Sequence, residues 1–184
     1  GWAYWFTSKP IKTPNDLKSM KIFTWAGDFK WERLWEKAGY NPVPLASVDI
    51  LSGLQTGLIN SFSTIPLYAL SQQSFGIAKH MLDLKWGILM AGIVIDNRVW
   101  GRISKKYHDD LISVTKSIQN RQKKLNANAE KESIKAMQDY GLQVHSIDEN
   151  GLRIWKDEVK KMEEELRGNI IPSEIYDKVM ELTQ

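Results

Sequence analysis

Three histidines, His80, His108 and His145, are the side chains of this sequence best suited to proton transfer or metal ligation, and they are far apart, with no HExxH or paired-ligand spacing. They read as surface or structural residues. The absence of cysteine removes a thiol nucleophile, a thiolate zinc site and a disulfide scaffold together. There is no GxSxG elbow, no GxGxxG turn and no phosphate loop. Asp28, Asp49 and Asp83 are the acids whose convergence in space would make a carboxylate pair, but a lone acid at a helix start reads first as a cap or a dipole partner. No enzymatic activity, metal or cofactor is expected. What the sequence concentrates is aromatic rings: seven of its eight tryptophans fall within the first 100 residues. Strand alternation puts Phe23 and Trp25 on one face, at a strand end beside Gly27, and ligand clefts in open α/β sheets form at the carboxyl ends of strands. Trp31 and Trp35 instead suit the buried stripe of an amphipathic helix.

The 184 residues carry 25 Lys plus Arg against 22 Asp plus Glu, with 42% apolar residues. That mixture is globular rather than disordered, and long enough for one large domain or two small lobes. Residues 1–95 hold nine basic and six acidic side chains, and the remainder holds sixteen of each. Neither half is a basic arm, so no nucleic-acid partner is expected. The longest apolar run, residues 87–95, is the size of a strand and far short of a membrane span. The opening Gly1-Trp2-Ala3-Tyr4 has no charged region, apolar core or start methionine of a signal peptide, so the native N-terminus is expected to lie upstream.

The elements that must position these rings alternate along the first half. Residues 2–7 read as a strand; Thr13, Pro14 and Asp16 mark a short helix start; residues 20–25 read as a strand; Asp28 opens a helix that Gly39 closes. The stretch Asn41-Pro42-Val43-Pro44 reads as a rigid connection, Ser47 as the cap of a helix through Gln55, residues 58–63 as a strand, and Pro66 as the start of a helix to about Ser74. Residues 81–84 and 87–95 read as two strands, the second apolar on both faces and hence buried on both. No Pro or Gly interrupts residues 109–140, which predict one helix about 48 Å long at 1.5 Å per residue. A strand over residues 142–147, a helix with Trp155, Val159, Met162 and Leu166 on one stripe, and a helix over residues 172–182 complete an α/β chain. The charges between Lys156 and Arg167 pair at helical spacing and read as a solvated face.

Three segments together resemble one family. Lys9 to Ile22, beginning Lys9-Pro10-Ile11-Lys12-Thr13-Pro14, resembles the "KPI-TP-DLKG-KIR" passage of substrate-binding proteins of tripartite ATP-independent periplasmic (TRAP) transporters, DctP-like type. Ala38 to Pro44 resembles that family's "GANPVPM" segment, and Leu54 to Ser61, leading to Pro66, its "ALQTGVIDG" segment. The resemblance covers essentially the whole sequence but only the later part of the family's chain. It implies a periplasmic binding protein of two α/β lobes joined by hinge strands and a long bracing helix, closing on a small organic ligand and delivering it to a membrane permease, with the N-terminal lobe largely missing here. Residues 1–86 would then belong to lobe II, residues 87–140 would cross to the lobe I remnant and brace, and residues 141–184 would return to pack on lobe II.

One departure from the family is chemical. Where the family ends its "KIR" strand with an arginine that pairs bidentately with a carboxylate, this sequence has Phe23. A second basic position of the family falls at Ala3, and its Asp-Gly at Asn60-Ser61. An aromatic wall cannot neutralise a carboxylate, so the expected ligand is apolar, aromatic or neutral-polar at this end, or its carboxylate is held from the missing lobe. The expected wall is Phe23, Trp25, Phe62, Ser63, Thr64 and Tyr68, with the rings stacking and Ser63 and Thr64 offering hydroxyls. The alternative is a stand-alone module that forms homodimers through apolar surface left uncovered on residues 87–95 and the long helix.

Overall fold

The structure is a computed structural model that describes residues 1–182; Thr183 and Gln184 lie outside the described residues. The chain runs β1 (Trp2–Thr7), α1 (Pro14–Lys18), β2 (Lys21–Trp25), α2 (Phe29–Lys37), β3 (Asn41–Leu45), a 3-10 turn (Ser47–Asp49), α3 (Ile50–Thr56), β4 (Ser61–Thr64) and α4 (Pro66–Ser71). It continues through β5 (His80–Ile88), α5 (Asn97–Arg102), α6 (His108–Asp139), β6 (Gln143–His145), α7 (Glu149–Lys161), α8 (Glu163–Leu166) and α9 (Ser173–Leu182). Among the described residues the strands form one sheet in the order β3-β2-β4-β1-β5-β6. β2 is parallel to β3 and β4, β1 is antiparallel to β4 and β5, and β5 is parallel to β6.

Local chemistry accounts for most of the boundaries. Thr13 Oγ1 accepts from the Asp16 N–H while Asp16 Oδ2 accepts from the Thr13 N–H at 2.8 Å, a reciprocal capping box ahead of Pro14. Asp28 Oδ1 accepts from the Trp31 N–H at the start of α2, and α3 ends at Gly57 with φ of +70°, a left-handed turn that suits glycine.

Several expectations are corrected. The Asn41-Pro42-Val43-Pro44 stretch is not a connection but the edge strand β3, where proline's missing N–H falls on the unpaired side and no ladder bond is lost. Ser47 does not cap a helix; it opens the 3-10 turn, and α3 starts at Ile50 with no side-chain cap. β4 begins at Ser61 rather than Leu58, and α4 ends at Ser71 rather than Ser74. The two strands expected at residues 81–84 and 87–95 are one strand, β5, whose pairing with β1 ends at Trp2 opposite Ile88. Residues 89–96 run irregularly and do not have the expected double-sided burial: Met90, Ile93 and Val94 are 84%, 86% and 92% exposed.

The strand faces sort the apolar residues into two cores. On one face Tyr4, Phe6, Phe23, Phe62 and Met81 pack with Ile50 and Leu54 of α3, Ala69 of α4 and Met137 of α6. On the other, Trp5, Ile22 and Leu82 pack with Leu17 of α1, Trp35 of α2 and Trp155 of α7. Helices therefore cover both sides of the sheet, an α/β layer arrangement. The stripe expected on α7 is partly corrected: Trp155 and Leu166 are buried, but Val159 is exposed and Glu158 takes the buried place beside Lys18, Lys161 and Tyr40. The 32 residues of α6 form one helix, of which only Ser133 and Met137 are buried. Leu111, Ile112, Val114, Ile118 and Leu125 face solvent.

Candidate functional site

Because β2 and β4 run parallel, Trp25 and Thr64 end at the same sheet edge, and the antiparallel β1 and β5 bring Trp2 and Ile88 to it. At that edge the Gly1 N–H donates to the Leu89 carbonyl at 2.8 Å, and the Leu89 N–H returns a bond to the Gly1 carbonyl at 2.9 Å. Two chain segments are thus tied side by side where the ladder stops.

The expected wall divides when placed on this edge. Phe23 is 6% exposed and belongs to the first core, with its ring edge-on to Trp25 at 5.3 Å. Trp25 is 53% exposed, so the outer ring is free for contact while the inner one supports it. Phe62 is fully buried and stacks on Phe6 at 5.3 Å; it lies under the edge and offers no surface, correcting its expected role. Thr64 is buried opposite Tyr4, and Tyr68 on α4 is half-buried against the same core. Ser63 sits across from Trp5 in the β1–β4 register, so pleating sends it to the other face, where its Oγ accepts from Trp86 Nε1–H at 2.6 Å. Phe23, Trp25, Thr64 and Tyr68 are therefore brought to one side of the sheet, and Ser63 is not.

Several side chains with specific contacts near this edge escape a reading of the sequence. Trp86 stacks on Trp5 at 4.9 Å and meets Trp35 edge-on at 5.9 Å, leaving about a third of its surface open. Its signal was the alternation Leu82, Leu84, Trp86, hidden by splitting β5 in two. Tyr4 donates its phenol to Glu130 Oε1 at 3.0 Å, and Lys85 Nζ lies 3.3 Å from the same oxygen. Burial first, then the bond to Glu130 and its charge, push the Tyr4 phenol well above its ordinary pKa, so it remains a donor. Trp5 Nε1 and Thr24 Oγ1 are buried without a hydrogen-bond partner.

Two hollows lie on this surface. The first, about 40 Å³, is at the carboxyl edge between β1, α4 and α6, lined by Gly1, Trp2, Ile65, Pro66, Asn126 and Glu130. Ligand pockets run from about 300 to 1,000 Å³, so this hollow encloses nothing larger than water without a further wall. The second, about 350 Å³, includes Lys18, Lys37, Glu158, Lys161, Glu164 and Glu165. It lies where α1 and α2 lead into the starts of β2 and β3, and the pairs Lys18–Glu158, Lys161–Glu158 and Lys37–Glu165 engage its three lysines internally. Among the described residues no group of three or more metal-ligating side chains converges, and no helix is long and apolar enough to cross a membrane.

Comparison with known proteins fits this geometry. The chain is 26% identical over 145 residues to the 2,3-diketo-L-gulonate-binding periplasmic protein YiaO of Escherichia coli K12, matching 78% of this chain and 44% of that protein. Its fold is similar to a TRAP periplasmic solute-binding protein of Bradyrhizobium solved with galacturonate (TM-score 0.75, 23% identity, 92% of this chain and 56% of that one). It is also similar to one from Pseudomonas aeruginosa PAO1 solved with L-malate (TM-score 0.79, 13% identity, 89% and 61%). The chain thus spans about half the length of the relatives it matches, and those relatives are solute-binding proteins rather than enzymes. With the family model described as "Bacterial extracellular solute-binding protein, family 7" (DctP) matching residues 1–168, the chain belongs to that family.

Proposed function

We propose that this chain forms one jaw of a TRAP-type solute-binding protein that works in the periplasm, captures a small organic ligand against the carboxyl edge of its sheet, and passes it to the permease subunits of the transporter. Residues 1–86 and the elements after α6 make the jaw; residues 87–140 make the connection and the brace. The observation that carries this reading is the edge itself: the exposed ring of Trp25 ends β2 at the same sheet edge where, across β4, the Gly1–Leu89 tie closes the β1–β5 ladder and the small hollow opens. Affinity in a two-jawed binder comes from enclosure, which one jaw alone does not supply.

The ligand presents an apolar or ring face to Trp25. Phe23, in the place of the family's arginine, is a buried support, so any carboxylate is held from outside this jaw. A sugar acid of the kind named for the relatives meets both conditions, its ring on Trp25 and its acid group on the opposite jaw. Calorimetry tests this with the 184-residue chain and with a two-lobed protein containing it. Galacturonate and glucuronate are expected to bind the two-lobed protein, with Trp25→Ala weakening binding about tenfold or more, roughly 1.4 kcal/mol. Sub-micromolar binding of either acid by the 184-residue chain alone overturns the requirement for a second jaw.

A second reading is favoured by one observation, the exposure of the apolar side chains Met90, Ile93 and Val94 and of Leu111, Ile112, Val114 and Ile118 on α6. Such a surface drives self-association. Sedimentation over a hundredfold range of concentration (about 1 to 100 µM) separates the readings: a monomer throughout removes the homodimer.

A further inference from the structure

His80 opens β5 and His145 closes β6, and the parallel register, His80 opposite Gln143 and Leu82 opposite His145, makes the two histidines diagonal neighbours on one face of the sheet. Nδ1 of His80 is 2.9 Å from Nε2 of His145, with the ring centroids 5.1 Å apart and the planes tilted by 31°. Both side chains are half-buried, which limits their freedom while leaving a path for solvent.

We infer that His80 and His145 form a two-nitrogen binding site for a divalent transition cation of tetragonal preference, Cu(II) foremost and Ni(II) next, with water completing the coordination. Imidazole nitrogens bind such cations at about 2.0–2.1 Å. Two bonds of that length at a right angle set the nitrogens about 2.9 Å apart, whereas a tetrahedral angle requires about 3.3 Å. The 2.9 Å between the cation-free rings is their hydrogen-bond length; a cation that keeps this spacing must hold the pair at the square edge, the angle that suits copper and nickel rather than zinc. In the cation-free pair one ring donates an N–H to the other; binding requires that this proton move to the donor ring's remaining nitrogen or leave to solvent, so that both facing nitrogens present lone pairs. Among the described residues no third protein ligand joins the pair, so the affinity is that of two imidazoles and not of a closed cage. A bound cation joins β6, a three-residue edge strand, to β5 by a link that does not depend on the ladder.

The test uses the 184-residue chain freed of metals and titrated with copper(II), nickel(II) and zinc(II) salts by calorimetry, with electron paramagnetic resonance of the copper form. One copper per chain is expected, with a tetragonal spectrum showing nitrogen superhyperfine structure and the order Cu > Ni > Zn. His80→Gln and His145→Gln should each weaken copper binding about tenfold or more, and His108→Gln should leave it unchanged. Undiminished binding in either of the first two variants, or zinc binding tighter than nickel, overturns the assignment. If a variant fails to fold, wild-type NMR decides: substoichiometric Cu(II) should broaden the ring protons of His80 and His145 before those of His108, and equal broadening of all three overturns it.

Discussion

Phe23 and Trp25 are two residues apart on one strand and share a face, yet one is interior and the other surface. Truncating a packed phenylalanine leaves a cavity, so Phe23→Ala should lower unfolding free energy by about 3–5 kcal/mol in denaturant titrations. Trp25→Ala should cost less than about 1 kcal/mol while retaining the larger effect on ligand. The reverse order would place the gripping ring inside the protein. Glu158 is the other residue whose surroundings decide its chemistry. Burial acts to raise its pKa, but bonds and charge from Lys18 and Lys161 together outweigh burial and hold it below the ordinary 4.5. A carboxyl depressed in the folded state stabilises the fold above its unfolded pKa and loses that contribution as pH falls through the lower folded value. Stability measured from pH 6 down to about pH 3 should therefore fall in wild type below about pH 4.5, and Glu158→Gln should lack that part of the slope. A variant with an identical acid profile would show that the lysines do nothing for the folded state.

At the scale of elements, α6 is a helix held along only part of its length. Near its C-terminal third Met137 enters the core and Glu130 accepts from Tyr4; further toward its start, Leu111, Ile112, Val114 and Ile118 are open to water. Tyr4→Phe removes a bond to a charged group, about 1.5–3 kcal/mol, and amide exchange around residue 130 should accelerate by a corresponding one to two powers of ten, without change in β3. The helix itself was legible because nothing breaks its periodicity, and α1 was legible because Thr13, Pro14 and Asp16 each do a separate local job. What was not legible depends on neighbours. Pro42 and Pro44 look like a connection until β3 is known to be an edge, and residues 87–95 look like one buried strand, whereas the ladder takes only Gly87 and Ile88 of them into β5. For the site, alternation already sets Phe23 with Trp25 and separates Ser63 from Phe62 and Thr64. The depth of Phe23 comes from α3 and α6, which lie far along the chain.

At the scale of the molecule, two helical layers close the sheet while a run of apolar residues after Leu89 and one side of α6 stay uncovered. Under the homodimer reading, sedimentation of the 184-residue chain shows concentration-dependent association, and Ile93→Glu with Val94→Lys weakens it by about tenfold or more in dissociation constant, because both positions are exposed and carry no core packing. No reduction would move the sticky surface elsewhere. The arm between Leu89 and Glu130 also has a mechanical property: at each end one of its attachments is to β1 or the residue just ahead of it. Gly1, directly ahead of β1, grips Leu89, and Tyr4 grips Glu130, three residues further along, about 10 Å at about 3.3 Å per residue. A load on the arm therefore reaches β1, whose next side chains, Trp5 and Phe6, key into opposite layers, so bending beyond the edge is expected to be felt on both faces of the sheet.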